Sequence, residues 1–439
     1  MEVAFKWRHY HTRGEEIMEI DYLKIAEQVT KYKNVQNLMS SVNINTLKSA
    51  HIRQEKKKAA GIDKVTKNEY EKNLGENLEN LINKMKRFAY KPLPVRRAYI
   101  PKLGSNEKRP LGIPAYEDKL VQGVMANALT MVYETKFMEF SYGFRPKRDC
   151  HKATNALREI IITKKIDFVV DVDIKGFFDN VNHEWLIKFL EHDIEDKNFI
   201  RYVKRFLKAG IMEEGKYLES DQGTPQGGLI SPILSNVYLH YVLDLWFEKK
   251  IRCDCNGEAH MIRYADDFVC CFQYESEARR FYTKLKERLA KFGLEISEEK
   301  SKIIRFGRYA REKGSKEAFD FAGFTHINAT SRNGKYIVRS QTSQKKLSLK
   351  MQAAKEWLRQ NLHLEKCELV RKLNQKLVGH YRYYGVTNNY CKMQLFVDYV
   401  QRALFKALNR RSQKRMSWEK FSKFLEYNPL AIPKIYHKY

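Results

Sequence analysis

Two adjacent carboxylates, Asp266 and Asp267, stand inside MIRYADDFVCCF (261–272), a run otherwise rich in the strand formers that fill a core. Like charges side by side repel, and a carboxylate taken out of water without a partner is costly. The flanks of the run alternate with period two around a polar middle, which predicts a β-hairpin with the acids at its turn. A second strand-like run, DFVVDVDI (167–174), carries Asp171 and Asp173 two residues apart, hence on one face. If the two lie side by side, Asp173 meets Asp266 and Asp267 at the strand ends. Three converging carboxylates are tolerated when cations bridge them, and hard divalent ions with oxygen ligands suit that task. Taken alone, YADD also reads as a pair of exposed turn aspartates. Its neighbouring words favour the metal.

The chain has 439 residues, 43% hydrophobic and 31% charged, enough for a sizeable core and for two to four domains. Its formal net charge of +28 calls for a polyanionic partner, with nucleic acid leading. Aromatics interleave with the cations in RFAYKPLPVRRAYIPK (87–102) and GHYRYYG (379–385), a mixture suited to base stacking beside phosphate contacts. Seven cysteines without a disulfide framework or paired zinc spacing read as reduced thiols. Cys253, Cys255 and His260 in CDCNGEAH form an incomplete metal set, better read as a solvated loop. No secretory signal and no apolar run of spanning length is seen, so a soluble intracellular protein is expected.

Along the chain, residues 1–90 read as charged helices with a turn at Gly61 and Asp63. Residues 91–114 read as a hairpin turning near Gly104, and 117–140 as a helix. Helices follow the 167–174 strand to about 210, and the Gly/Pro loop of 220–247 opens into a long apolar helix. SEARRFYTKLKERLAKFG (276–293) is an amphipathic helix with Gly293 as its cap. FDFAGFTHI (319–327) and KYIVRS (335–340) read as strands, and everything after about 343 as basic helices. The class is α+β.

RYADDFV resembles the signature of reverse transcriptases. The surrounding words, in order, resemble those of group II intron-encoded reverse transcriptases and maturases: AAGID (59–63), RRAYIPK…EKRPLGIP (96–114), SYGFRP (141–146), DVDIKGFFDNVNH (171–183), QGTPQGGLISPILSN (222–236), GLEISEEKSKI (293–303) and FAGF (321–324). The likeness covers about residues 45 to 390. It implies a right-hand polymerase fold: an N-terminal helical extension (1–45), fingers (46–165), palm with an antiparallel sheet (166–342), helical thumb or maturase domain (343–410) and a basic tail (411–439) that touches DNA or RNA. Nothing after the thumb resembles the HNH endonuclease of many relatives, so no target-strand nuclease is expected; 248–260 looks like an insertion.

Site roles follow from the same resemblance. Asp173, Asp266 and Asp267, with the backbone carbonyl of Ile174, would ligate two Mg²⁺ ions, for which Mn²⁺ is a possible substitute. Asp171 is not a ligand in the family pattern and is expected to be exposed or structural. Phe178 would be the steric gate against a ribose 2′-hydroxyl, with Phe177 an equally apolar neighbour. Lys102 and Arg109 match triphosphate contacts. Gln226 would lie near nucleotide and template, where Gly227 and Gly228 allow close backbone approach. Lys300 corresponds to the lysine near the leaving pyrophosphate, a general acid, with Lys302 two residues away. FAGF resembles the primer-positioning element, and Arg145 contacts either template or structural carboxylates. The implied function is RNA-dependent DNA synthesis from dNTPs on an RNA template–primer duplex, with DNA as primer or target and assistance to intron RNA splicing, in the bacterial cytoplasm near the nucleoid. The rivals are a splicing cofactor with secondary polymerase activity and a free-standing enzyme recruited for DNA repair or phage defence.

Overall fold

The computed structural model describes residues 25, 27–29, 31–32, 34–101, 108–219, 221–224, 227–411 and 415–439. The turn expected near Gly104 lies outside the described residues, as do Lys102 and Gln226.

The first helices are α1 (Ile44–Arg53), α2 (Lys67–Glu71) and α3 (Leu74–Lys86). Strands β1 (Val95–Pro101) and β2 (Lys108–Ile113) pair antiparallel, and α4 (Tyr116–Tyr133) and α5 (Cys150–Thr163) follow. AAGID docks onto the start of α4. A Cβ on Gly61 would meet the Pro114 carbonyl at 2.5 Å, and Asp63 Oδ2 accepts a hydrogen bond from the Tyr116 amide at 2.8 Å. The helix expected over 117–140 ends at Tyr133, and residues 134–140 turn the chain toward SYGFRP.

After β3 (Phe168–Val172) come α6 (His183–Asp193) and α7 (Lys197–Leu207). The chain then returns to the first sheet, a step the sequence reading missed. β4 (Ile211–Glu213) pairs parallel to β1, and β5 (Lys216–Leu218) completes the order β2-β1-β4-β5. Helix α8 (Ser231–Leu239) runs on in π-helical form through His240–Asp244, with a second π-helical stretch at Phe247–Ile251. The 248–260 segment therefore begins inside this helix.

β6 (Ala259–Tyr264) and β7 (Asp267–Phe272) form the expected hairpin, followed by α9 (Glu275–Lys291), β8 (Lys302–Arg305) and α10 (Arg308–Glu312). Ala278, Phe281, Leu285 and Leu289 form the buried stripe of α9, and Gly293, at φ 74°, ends it as expected. The palm sheet has the order β6-β7-β3-β8, antiparallel throughout. Its strands are buried on both faces. Val170, Val172, Phe268 and Cys270 face a core shared with the fingers helices, while Val169, Val269 and Cys271 face α5 and a second sheet. That sheet is β11-β10-β9, from β9 (Ala318–Phe321), β10 (Phe324–Thr330) and β11 (Tyr336–Thr342). The run 319–327 is thus two strands, because Ala322 (φ 49°) and Gly323 (φ 80°) make a tight turn between them.

The segment expected as the thumb contains α11 (Gln344–Gln360), α12 (Lys366–Tyr384) and α13 (Tyr390–Asn409) around Leu347, Leu373, Leu377, Val400 and Leu404. α14 (Trp418–Tyr427) adds Phe421 to the same core. Residues 428–439 are not helical, unlike the expectation for the chain's last part. They form a strap along the thumb: Asn374 bonds Pro429 and Ala431, and the Tyr436 and His437 amides both donate to the Gly385 carbonyl. The strap then reaches α5, where His437 stacks on His151 at 3.6 Å between ring centroids.

Candidate functional site

The register of the palm sheet brings the acids together. β3 pairs with β7 up to Val172 opposite Phe268, so the next pair along the same register is Asp173 with Asp267. β6 and β7 pair up to Tyr264 opposite Asp267, leaving Ala265 and Asp266 as a two-residue turn. Ala265 holds φ 59°, a left-handed conformation that costs a residue with a Cβ roughly 1–2 kcal/mol. Gly143 of SYGFRP lies directly against this turn; a Cβ there would stand 2.2 Å from the Ala265 nitrogen.

The electrostatics agree with the geometry. Burial, then the charges of Asp266, Asp173 and Asp320, push the Asp267 carboxyl up to about 7. Asp266 is raised by burial and then by Asp173, against the opposing field of Arg109. Asp171 shares the neighbourhood. It stands opposite Val269 on one side and Lys302 on the other, and burial with the charges of Asp267, Asp320 and Asp173 pushes it to about 7. Of the two fates expected for Asp171, exposed or structural, it takes a partly buried place behind the other acids.

The donor set is all oxygen, which suits a hard divalent cation. Among the described residues, however, no group of three or more Asp, Glu, His or Cys side chains is gathered so as to hold a metal ion. Asp173 Oδ2 instead receives Lys300 Nζ at 3.1 Å, and Asp267 Oδ2 receives the Ala322 amide at 3.4 Å. Such a site fits Mg²⁺, which binds through one or two carboxylates and takes its remaining ligands from water and substrate phosphate. Cys253, Cys255 and His260 do not form a metal site: Cys253 is exposed, and His260 bonds Glu258 at 2.6 Å.

Several expected residues surround the acids. Ile174 has a buried side chain and forms a backbone bridge with Ile296 whose hydrogen bonds run from the Lys175 amide to the Glu295 carbonyl and from the Ser297 amide to the Asp173 carbonyl. Phe177 is the core ring, against Tyr238, whereas Phe178 is only partly buried. Gly223 and Thr224 dock on Phe178, whose carbonyl accepts from the Thr224 amide at 2.7 Å, and a Cβ on Gly223 would stand 2.9 Å from the same oxygen. At Gly227 (φ 111°) the close neighbour is β2, with a built Cβ 2.4 Å from the Gly112 carbonyl. Arg109 is exposed on β2. Lys300 touches Asp173, whereas Lys302 lies on the edge strand. Arg145 resolves to a structural role: it is nearly buried, forks onto Glu134 at 2.9 and 3.0 Å, and bonds the Met138 and Ser141 carbonyls. The FAGF turn links site and thumb, because Tyr383 Oη donates to the Ala322 carbonyl at 3.0 Å.

Sequence reasoning missed Arg263. Two residues before the turn, its guanidinium forks onto Asp244, both side chains fully buried, and its charge also acts to lower Asp266. The sequence signals only that a lone Arg in an apolar strand and a lone Asp in the apolar LDLWF each need a partner, without saying which.

A profile of the family described as reverse transcriptase (RNA-dependent DNA polymerase) matches residues 100–326, more than half of the chain. The chain belongs to this family. The match runs from the end of β1 into β10 and contains Asp171, Asp173, Asp266, Asp267 and Asp320. The right-hand polymerase fold follows from that membership, in agreement with the α+β architecture. Among curated relatives of this chain, the group II intron-encoded protein LtrA of Lactococcus lactis subsp. cremoris is 35% identical over 263 residues, covering 55% of this chain and 43% of LtrA. Protein YkfC of Escherichia coli is 34% identical over 238 residues, 48% of this chain and 62% of YkfC. Nuclear intron maturase 2, mitochondrial, of Arabidopsis thaliana is 25% identical over 177 residues, 31% of this chain and 24% of its own length. The chain thus spans less than two thirds of the length of these relatives. No helix among the described residues is long and apolar enough to cross a membrane.

Proposed function

We propose that the chain is an RNA-directed DNA polymerase that extends a primer 3′-hydroxyl with dNTPs on an RNA template. The observation that carries this reading is the convergence of Asp173 with Asp266 and Asp267 where β3 meets the β6–β7 turn. Asp173, Asp266 and Asp267, with the Ile174 carbonyl, would hold a pair of Mg²⁺ ions, which Mn²⁺ can replace. When bound, such ions acidify the attacking hydroxyl and neutralise charge on the leaving pyrophosphate. Lys102 and Arg109 bind the triphosphate, Gln226 serves nucleotide and template, and Gly227 allows close backbone approach to the substrate. Phe178 excludes the 2′-hydroxyl. Lys300 exchanges its contact with Asp173 for the leaving pyrophosphate, to which it delivers a proton.

Binding of intron RNA, with assistance to splicing, is part of the same proposal. It is supported by the net charge of +28, the helical basic thumb and the intron-encoded relatives. Primer extension on an RNA template, run beside an intron-splicing assay, tests both. The Asp266→Asn/Asp267→Asn variant should lose extension while keeping RNA affinity and splicing. A variant that extends primers normally ends the proposal. An extending protein that assists no intron RNA removes the maturase part and leaves a free-standing polymerase.

A further inference from the structure

The Arg263–Asp244 pair has an energetic oddity. Two fully buried charges gain little net stability over an apolar pair of similar volume, because desolvation offsets their attraction. Arg263 nevertheless satisfies more than its partner. Its Nε donates to Asp244 Oδ1 at 2.8 Å and its Nη2 to Asp244 Oδ2, while Nη1 donates both to Asn236 Oδ1 at 3.0 Å and to the Ala265 carbonyl at 2.9 Å. Asn236 in turn donates from Nδ2 to the Gly143 carbonyl at 2.7 Å. The Arg263 backbone is held as well, its amide by the Phe140 carbonyl at 2.9 Å and its carbonyl by the Tyr142 amide at 2.8 Å.

These bonds converge on one residue. Ala265 is the left-handed, strained member of the turn, and it immediately precedes Asp266. Arg263 fixes its carbonyl from one side, and Gly143, anchored through Asn236, closes against its nitrogen. Asp244, the last residue of the first π-helical stretch, fixes the guanidinium. π-Helical stretches depart from regular helical hydrogen bonding and frequently occur at functional sites.

We propose that Arg263, Asp244 and Asn236 form a positioning network that holds the Ala265–Asp266 turn in its strained shape, so that Asp266 and Asp267 present their carboxylates in metal-binding register. The inference rests on the reading of those acids given above. The network touches neither substrate nor ion; it acts through the turn.

The test compares a charge-free replacement with a control pair. Arg263→Met combined with Asp244→Leu removes both charges together, a change that leaves stability near neutral or raised in comparable buried pairs. Primer extension is measured across Mg²⁺ concentrations, with thermal unfolding in parallel. The network predicts a rise of about tenfold or more in half-saturating Mg²⁺, in the range found when supporting residues of metal sites are removed. It also predicts that adding Ala265→Gly, which relieves the left-handed strain, changes that Mg²⁺ requirement differently in the wild-type and double-variant backgrounds. Lys136→Met, which breaks the ion pair to Asp193, is the control and should leave the Mg²⁺ requirement in place. A folded double variant with the wild-type Mg²⁺ profile overturns the proposal. If the double variant does not fold, Asn236→Ala decides: a rise in half-saturating Mg²⁺ of about tenfold supports the network, and an unchanged profile overturns it. Full activity of Asp266→Asn/Asp267→Asn would instead sink the site reading.

Discussion

Phe178 and Lys300 are the residues whose roles a single side chain can settle. Phe178 sits partly buried beside the core ring of Phe177, 5.3 Å away in edge contact, and its carbonyl holds the Thr224 amide. Phe178→Ala should raise ribonucleotide incorporation relative to deoxyribonucleotide by about tenfold or more, since each tenfold is about 1.4 kcal/mol of lost discrimination. Unchanged sugar selectivity in competing single-nucleotide additions would remove the gate. Lys300→Ala should lower the rate of nucleotide addition by about a hundredfold, as loss of a general acid does, while Lys302→Ala stays near wild type. Equal rates for the two variants would assign the proton elsewhere. At this scale the acids were legible, because charges in an apolar strand must be explained. The Arg263–Asp244 contact was not: nothing in the spacing of 19 residues aims one side chain at the other across a helix and a strand. Arg145 was left between template and carboxylate because only the fold shows that Glu134, 11 residues earlier, points back at it.

Elements with a strong internal period were read well, and those held by distant partners were not. The β6–β7 hairpin and α9 came through within two or three residues, since alternation or a 3.6-residue stripe fixes them locally. The β4–β5 hairpin, with strands of three residues each, has too little length to show a period and exists because β1 offers an edge. Gly210 is its hinge. At φ 75°, with a built Cβ 2.4 Å from the Tyr217 ring, Gly210→Ala should destabilise the protein by about 1–3 kcal/mol. Gly215→Ala, at φ 82° in open space, carries the backbone strain without the clash and should cost less. Denaturant unfolding of the two variants checks the difference, and equal losses would mean that Tyr217 simply swings aside.

At the level of the whole molecule, charge and buried histidines set the response to solution conditions. With a net +28, nucleic-acid affinity should fall steeply with salt, by about a thousandfold between 50 and 200 mM if six or more phosphates are contacted. A flat isotherm over that range would contradict backbone-dominated binding. Burial lowers His151, His240, His326 and His380 each to about 4. These groups stay neutral in the fold while the unfolded chain takes up protons below about 6.5, so the stability they contribute is present above that pH and is lost as pH falls toward 4. His380 stacks on Phe396 at 4.1 Å, and neither of its ring nitrogens has a hydrogen-bond partner. His380→Phe should therefore flatten the loss of melting temperature between pH 7 and 5, and an unchanged slope would show that His380 takes no part in it.

One contact ties this scale back to the first. The peptide unit flanking Ala322 on one side gives its hydrogen to Asp267, and the unit on the other side lends its oxygen to Tyr383 of the thumb. Only a single small residue therefore separates the C-terminal helices from the acid at the turn. A substitution that shifts the backbone at Ala322 would disturb both contacts at once.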